Sequence, residues 1–402
     1  MKHQRHLVIL AAAFLLLQGS SAMAAEQWLG AWGYPSAPVP ASAKAMPVTN
    51  PVIVTPPAPF LIENPGGLPV VTDPPADPAN VTLRQLVRVS VAGKRIRLHF
   101  SNEDGAEALA LGAVHVGLAG PDGTIVAGTD RTVTFGGREA ISIPSWAPYD
   151  SDPVDLPVAA LDRLAISIFL PTAVPRSGHA TYQYVSGARG DQTALAALPS
   201  PSLTRLRALV SRVDVAPLTA RGAIVTLGDS ITEGAHSTIN GFRSWPDRLA
   251  ERLAPGGQWS VVNAGIGGNR LVRNLAGPNA LARFDRDVLA TPGVKILVLM
   301  EGINDIGRTF TPEATQEPAT LDDLEGAVRQ IVTRAHDHGI KIYGATLTPY
   351  RGAHYYAEPG GKMRQSFNDW IRNSGTFDGV IDFDAALRSK SEPDRLDPAY
   401  DS

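Results

Sequence analysis

Cysteine is absent from all 402 residues. That absence excludes a disulfide framework and a thiolate metal site. No charge of one sign dominates either. The chain has 36 basic and 39 acidic residues, a net charge of -3. No basic patch argues for nucleic acid, and no acidic tail argues for a solvating segment. Beyond the first residues there is no apolar run near the roughly 20 residues that a membrane span needs. What is present is an apolar fraction of 44%, enough for a real core, on a length that suggests two or three domains.

The start of the chain has the form of an export signal. Lys2 and Arg5 make a basic beginning, Leu7 to Leu17 is apolar, and Ala22-Met23-Ala24 supplies small residues for cleavage. We expect residues 1–24 to be removed and the mature chain to be secreted or periplasmic. Residues 34 to 80 are rich in proline, which forbids long helices and central strands there. We expect an extended, loop-rich domain edge anchored by Trp28, Trp32, Phe60 and Leu61.

From 83 to 172 the pattern alternates with period two. Ile96, Leu98 and Phe100 face one side, and Arg95, Arg97 and His99 the other. Ala92-Gly93-Lys94 predicts a hairpin turn with a preceding strand around Leu86 to Val91. Further strands are expected at Val114 to Leu118, Thr124 to Ala127, Arg131 to Phe135, Ile141 to Ile143 and Leu164 to Leu170. Short strands broken by Gly, Pro and Asp argue for an antiparallel sandwich, a β-rich module over 25–205. Arg205, Arg207 and Arg212, with Pro199, Pro201 and Pro217, mark a boundary region at 199–221.

After it the period changes. Strands at 223–227, 259–263, 294–300, 341–347 and 380–383 alternate with helices near 242–254, 279–290 and 361–374. A further helix carries Leu321, Leu324, Val328, Ile331, Val332 and Ala335 on one face. Thr320 with Asp323 forms a capping box, and Gly339 fits the position just past the helix end. Such alternation predicts an open parallel α/β sheet over 219–402, whose active site lies at the carboxyl ends of its strands.

Three motifs sit at such ends. Ile224-Val225-Thr226-Leu227 leads into Gly-Asp-Ser-Ile-Thr-Glu-Gly, with Ser230 at its centre. Trp259-Ser260-Val261-Val262 leads into Asn-Ala-Gly-Ile-Gly-Gly-Asn, with Gly268. Ile296 to Met300 leads into Gly-Ile-Asn-Asp, with Asn304. A serine between strand and helix exposes its hydroxyl, and its N–H can join an oxyanion site. Gly268 lets a substrate oxygen approach its N–H, and Asn304 offers an amide donor. Each motif alone also fits a plain turn or a helix cap.

Together, in this order, they resemble the SGNH (GDSL) hydrolase superfamily. The resemblance implies Ser230 as nucleophile, with Ser230, Gly268 and Asn304 as oxyanion donors. It implies a flavodoxin-like three-layer α/β fold and an ester substrate, a small molecule or a polysaccharide. No metal or cofactor is implied. The strings Ala-Leu-Ala-Arg-Phe-Asp-Arg-Asp (280–287) and Ile-Lys-Ile-Tyr-Gly-Ala-Thr-Leu-Thr-Pro (340–349) are similar to the XynE-like acylhydrolase branch, which acts on acyl or acetyl esters, some of them on plant polysaccharides. A lipase or thioesterase of the same superfamily is an alternative, as is a carbohydrate-binding protein whose β module is the active part.

One departure stands out. The family's fifth block, Asp-x-x-His, has no match. None of the nine histidines has an aspartate three residues before it, and Asp384 and Asp394 are followed at that spacing by Leu387 and Asp397. The expectation is that the block lies past Ser402 and that the 402-residue chain is only weakly active. His354, beside Tyr355 after the fourth strand, is expected to line the cleft with Tyr355 and contact substrate. His236 is expected to be a loop residue, and His336 and His338 to end a helix.

Overall fold

The structure, a computed structural model, describes residues 26–38, 79–174, 178–310 and 318–400. The export signal over 1–24 and most of the proline-rich stretch, including Phe60 and Leu61, lie outside the described residues.

The first strands in chain order are β1 (Leu29–Gly33), β2 (Val81–Arg88), β3 (Gly93–Ser101), β4 (Leu109–Leu111), β5 (Val114–Leu118) and β6 (Arg131–Thr132). They continue with β7 (Ile141–Ile143), β8 (Pro148–Asp150), β9 (Arg163–Leu170), β10 (Ala180–Arg189), β11 (Ser202–Arg207) and β12 (Val210–Pro217). All pair antiparallel. One sheet runs β1-β12-β3-β8 and another runs β11-β10-β2-β9-β5-β6. Ile96, Leu98 and Phe100 of the first pack in one core with Leu83, Val87, Ile166 and Ile168 of the second. The module is therefore a sandwich, with alternate residues turned inward as their period requires. The Gln85 side chain bridges the layers, donating to the Val210 carbonyl at 3.0 Å.

Three expectations change here. Strands β2 and β3 do not form a hairpin, because they lie in different sheets. The short turn at Ala92-Gly93 carries the chain across the sandwich, and Gly93 bonds Val158 instead. Thr124 to Ala127 makes only an isolated bridge, Ile125 to Ala119. The stretch 199–221 is mostly strand rather than boundary, so the sandwich runs through β12 to Pro217. In β12, Val213 and Val215 turn inward, while the buried Asp214 carboxylate takes up both Arg97 and Arg212 at 2.8 and 2.7 Å. Arg207 pairs with Asp104, and Arg205 donates to the Ala180 carbonyl at 3.0 Å, so the basic residues are taken up by contacts of the sandwich.

The second domain has strands β13 (Gly222–Gly228), β14 (Trp259–Gly265), β15 (Val294–Met300), β16 (Lys341–Ala345) and β17 (Gly379–Ile381). They form one all-parallel sheet in the order β14-β13-β15-β16-β17, the flavodoxin-like 2-1-3-4-5 arrangement. Every residue of β13 is buried, as expected of a central parallel strand. The helices are α1 (Ser230–Glu233), α2 (Trp245–Leu253), α3 (Ala280–Phe284, continued by a π turn over Asp285–Leu289), α4 (Ile303–Thr309), α5 (Leu321–Asp337), α6 (Glu358–Asn373) and α7 (Phe383–Leu387). The Thr320–Asp323 capping box starts α5, and Gly339 follows its end at φ +66.

The sandwich docks on the β14 side of this sheet. Gly30 donates to the Pro292 carbonyl at 3.0 Å, and Ser260 Oγ donates to the Gly30 carbonyl at 2.6 Å. Ser90 Oγ donates to the Val261 carbonyl and accepts from the Val261 N–H. Arg88 pairs with Asp247 and Glu251 of α2 at 3.3 and 2.8 Å.

Candidate active site

Strand β13 lies between β14 and β15, with Gly228 level with Gly265 on one side and Met300 on the other. The loops that follow all three strands therefore open on one edge, and they carry Ser230, Gly268 and Asn304.

Ser230 begins a helix of a single turn. The Asp229 carboxylate caps it by accepting from the Ile231 N–H at 2.9 Å, and Gly234 closes it at φ +91. As the first helical residue, Ser230 has no intrahelical acceptor for its own N–H. Its side chain is half-buried and makes no hydrogen bond among the described residues.

Gly268 has φ +74, a conformation that favours glycine. The following residue, Asn269, is fully buried. Its amide donates to the carbonyls of Ala276 and Pro278, both at 2.8 Å. Asn304 reaches across from α4: its Nδ2 donates to the Asn269 carbonyl at 2.9 Å. That bond uses one of the two amide protons and ties the β15 loop to the β14 loop. Asp305 repeats the tie, its carboxylate accepting from the N–H groups of Leu271 and Val272 at 2.6 and 3.1 Å.

One residue that sequence reasoning missed holds these loops together. Arg283, in the Ala-Leu-Ala-Arg-Phe-Asp string, is 2% exposed. It donates to the carbonyls of Gly228 and Ala264, at 2.9 and 2.6 Å, and to Asn269 Oδ1 at 2.9 Å. Its charge is matched by Asp287 at 2.8 Å. The string was visible in the sequence, but nothing local said that an arginine there would turn inward.

Beneath the loops lie three buried carboxyl groups. Burial raises Asp229 to about 7, aided by the nearby charges of Asp305 and Glu233. Burial also raises Asp305 to about 6. Glu301 is pushed well above the ordinary range by burial and by Asp229. Arg283 stands 4.0 Å from Glu301, too far, and too engaged with Asp287, to offset that desolvation.

The aromatic flank comes from the loop after β16. Tyr355 packs against Gly307, one turn beyond Asn304 on α4. Burial raises its hydroxyl pKa, and the Asp229 charge adds to the shift. Tyr350 lies 5.6 Å from the Tyr355 ring and 5.1 Å from the Tyr356 ring. His354 is exposed, edge-on to Tyr355 at 5.0 Å. His236 is exposed in a loop at φ +64. His336 pairs with Asp378, and His338 bonds the Arg334 carbonyl. Among the described residues no histidine bonds Ser230.

The parallel α/β sheet thus sets a serine at a strand-to-helix turn, beside a glycine turn and a buried amide. Residues 226–402 match the model of the GDSL-like Lipase/Acylhydrolase family. Over that region the chain is similar to this family, and the match supports an ester hydrolase. No curated protein is similar enough to the chain to match it. Among similar solved structures is one described as a lipolytic protein of the G-D-S-L family from Desulfitobacterium hafniense, 22% identical, TM-score 0.32, covering 42% of this chain and 82% of that one. A GDSL-like lipase from Bacteroides thetaiotaomicron is 19% identical, TM-score 0.33, over 45% and 78% of the two chains. A variant of an acetyl xylan esterase from Geobacillus stearothermophilus is 22% identical, TM-score 0.31, over 38% and 72%.

Proposed function

We propose that this ester hydrolase is exported and cleaves acyl or acetyl esters, including esters on carbohydrate, with Ser230 as nucleophile. In this reading Ser230 Oγ attacks the ester carbonyl. The N–H groups of Ser230 and Gly268 and the second amide proton of Asn304 hold the oxyanion. The observation that carries the reading is the Asn304–Asn269 bond. It leaves the Asn304 amide with one proton to give, beside the glycine turn and at the end of the strand next to the serine's own. Export is supported by the basic start and the apolar run before Ala24, and the ester class by the strings at 280–287 and 340–349.

The Ser230 hydroxyl needs a base, and none is bonded to it among the described residues. An oxyanion site without a full triad still exceeds water by roughly a thousandfold, so slow turnover is expected. Ser230→Ala should remove this turnover of an aryl acetate while the far-ultraviolet dichroism stays unchanged. Added imidazole should accelerate the native chain more than the Ser230→Ala protein, because only the former has a nucleophile to activate. Equal rates for the two proteins would end the serine reading.

A further inference from the structure

Helix α1 carries two side chains one turn apart, Ser230 and Glu233. A single turn is not stable alone, so tertiary contacts set where Ser230 stands. Asn263 of β14 holds the helix backbone through the Thr232 and Glu233 carbonyls, and the hydrogen bonds of the Glu233 carboxylate come from the sandwich. Tyr34 Oη lies 3.0 Å from Glu233 Oε1, and His179 Nε2 lies 3.0 Å from the same oxygen. The other ring nitrogen of His179 bonds the Pro35 carbonyl at 2.6 Å. The His179 ring thus spans a sandwich carbonyl and the Glu233 carboxylate. The Tyr34 and His179 rings stack 4.0 Å apart at an interplanar angle of 3°. Glu233 is held below the usual carboxylate range: burial opposes this, but the hydrogen bond and charge of His179 and the Tyr34 hydroxyl outweigh it.

The second oxygen of Glu233 faces the glycine turn. A Cβ on Gly267 would stand 2.7 Å from Glu233 Oε2. The carboxylate is thus a wedge between the sandwich and the turn that carries Gly268. It is not needed to dock the sandwich, which Gly30, Ser90, Ser260 and Arg88 already fix. A buried ion pair is also a weak source of stability and a better source of orientation.

We infer that Tyr34 and His179 are positioning residues for the ester-hydrolysing site, holding Glu233 against Gly267 and thereby setting the Ser230 hydroxyl and the Gly268 N–H. This rests on the function proposed above, and it makes the sandwich part of the active site.

The test uses the full chain and reads aryl acetate turnover after subtracting the Ser230→Ala rate. His179→Ala should lower kcat roughly ten- to a hundredfold, the scale of a small misplacement near the chemistry, with KM within about twofold. His179→Gln should recover much of the loss, because its amide can donate to the same carboxylate. Adding Glu233→Gln to His179→Ala should cost little more, since both act through one contact. Independently of turnover, His179→Ala in the Ser230→Ala background should speed amide exchange at Gly267 and Gly268 but not in β13. The inference is overturned if kcat is unchanged, if it falls only in step with the folded fraction and equally in the Gln variant, or if exchange at the two glycines does not move. Turnover that survives Ser230→Ala would instead sink the functional reading, and the exchange result would still decide the positioning claim.

Discussion

Both halves of the molecule bury charge, and they settle it differently. In the sandwich, Arg84 is 2% exposed. It is saturated with acceptors, giving hydrogen bonds to Ser167 and to the carbonyls of Gly123, Leu195 and Ala196 between 2.6 and 3.3 Å. Burial lowers its pKa to about 10, but every acceptor it meets is a neutral group in its own module. In the α/β domain, Asp229, Glu301 and Asp305 cluster under the strand ends, and Arg283, the guanidinium set among them, is shared with Asp287. One oxygen of Glu301 has no hydrogen-bond partner among the described residues. Buried charge that is fully met by local acceptors knits loops to strands. Buried charge left under-compensated collects where three loops must be held in one relation. Perturbed carboxyls gather at functional sites for this reason.

Replacing each arginine by methionine separates the two cases. Arg283→Met leaves Asp287 with Arg286 alone, at 2.6 Å, and removes the cation nearest Glu301, and breaking a buried pair costs about 3–5 kcal/mol. It also frees the carbonyls of Gly228 and Ala264, so we expect turnover to vanish along with the folded domain. Arg84→Met should cost about 3 kcal/mol through unmet carbonyls, yet leave turnover per folded molecule intact. Chemical denaturation with active-site titration distinguishes them. If Arg84→Met lowered kcat per folded molecule as much as Arg283→Met, the contrast between the halves would fail. Asn304→Ala is the next largest effect. Losing an oxyanion donor costs about two to three orders of magnitude in rate, mostly in kcat, because the donor acts in the transition state. A loss confined to melting temperature would make Asn304 structural.

The halves also differ in how far the sequence discloses them. Strands β13 and β15 are unbroken apolar runs that end in Gly-containing turns, and such runs are local signals. Ser230, Gly268 and Asn304 are visible for the same reason, since each follows its own strand directly. The sandwich is harder to read. Its strands turn Arg84, Gln85, Gln183 and Thr204 inward, which blurs the alternation, and a two-residue turn looks the same whether it joins neighbours or crosses layers. Residues that act through distant partners were invisible. Glu233 lies 199 residues from Tyr34 and 54 from His179, and no periodicity relates them. Arg283 was legible as part of a string and illegible as a staple, because inward burial of a guanidinium depends on acceptors that only the folded sheet supplies.

The smallest predicted effect tests the under-compensated charge itself. Unfolded carboxyls titrate near 4, whereas Asp305 and Asp229 are raised to about 6 and 7 and burial and Asp229 push Glu301 well above the ordinary range. Between about pH 4 and 7 the folded state therefore holds more protons than the unfolded one. By linkage its stability falls as pH rises through that window. Glu233, Asp287 and Asp382 act in the opposite sense: their pKa values are depressed, so their contribution is present above about 4 and lost below it. The domain should be most stable near pH 5 and weaker at pH 8. Glu301→Gln keeps an oxygen for the Gly302 N–H, which Glu301 now meets at 3.0 Å, and removes a group that must either hold a proton or bury a charge. The variant should melt about 2–4 °C above the native chain at pH 8, the scale of 1 kcal/mol for a domain of this size. The difference should narrow as pH falls toward 5, because the raised folded carboxyl and the unfolded carboxyl then differ less in the protons they hold. A variant whose melting temperature runs parallel to that of the native chain from pH 5 to 8 would mean that Glu301 does not carry this dependence, and that the contrast with the saturated Arg84 is one of geometry alone.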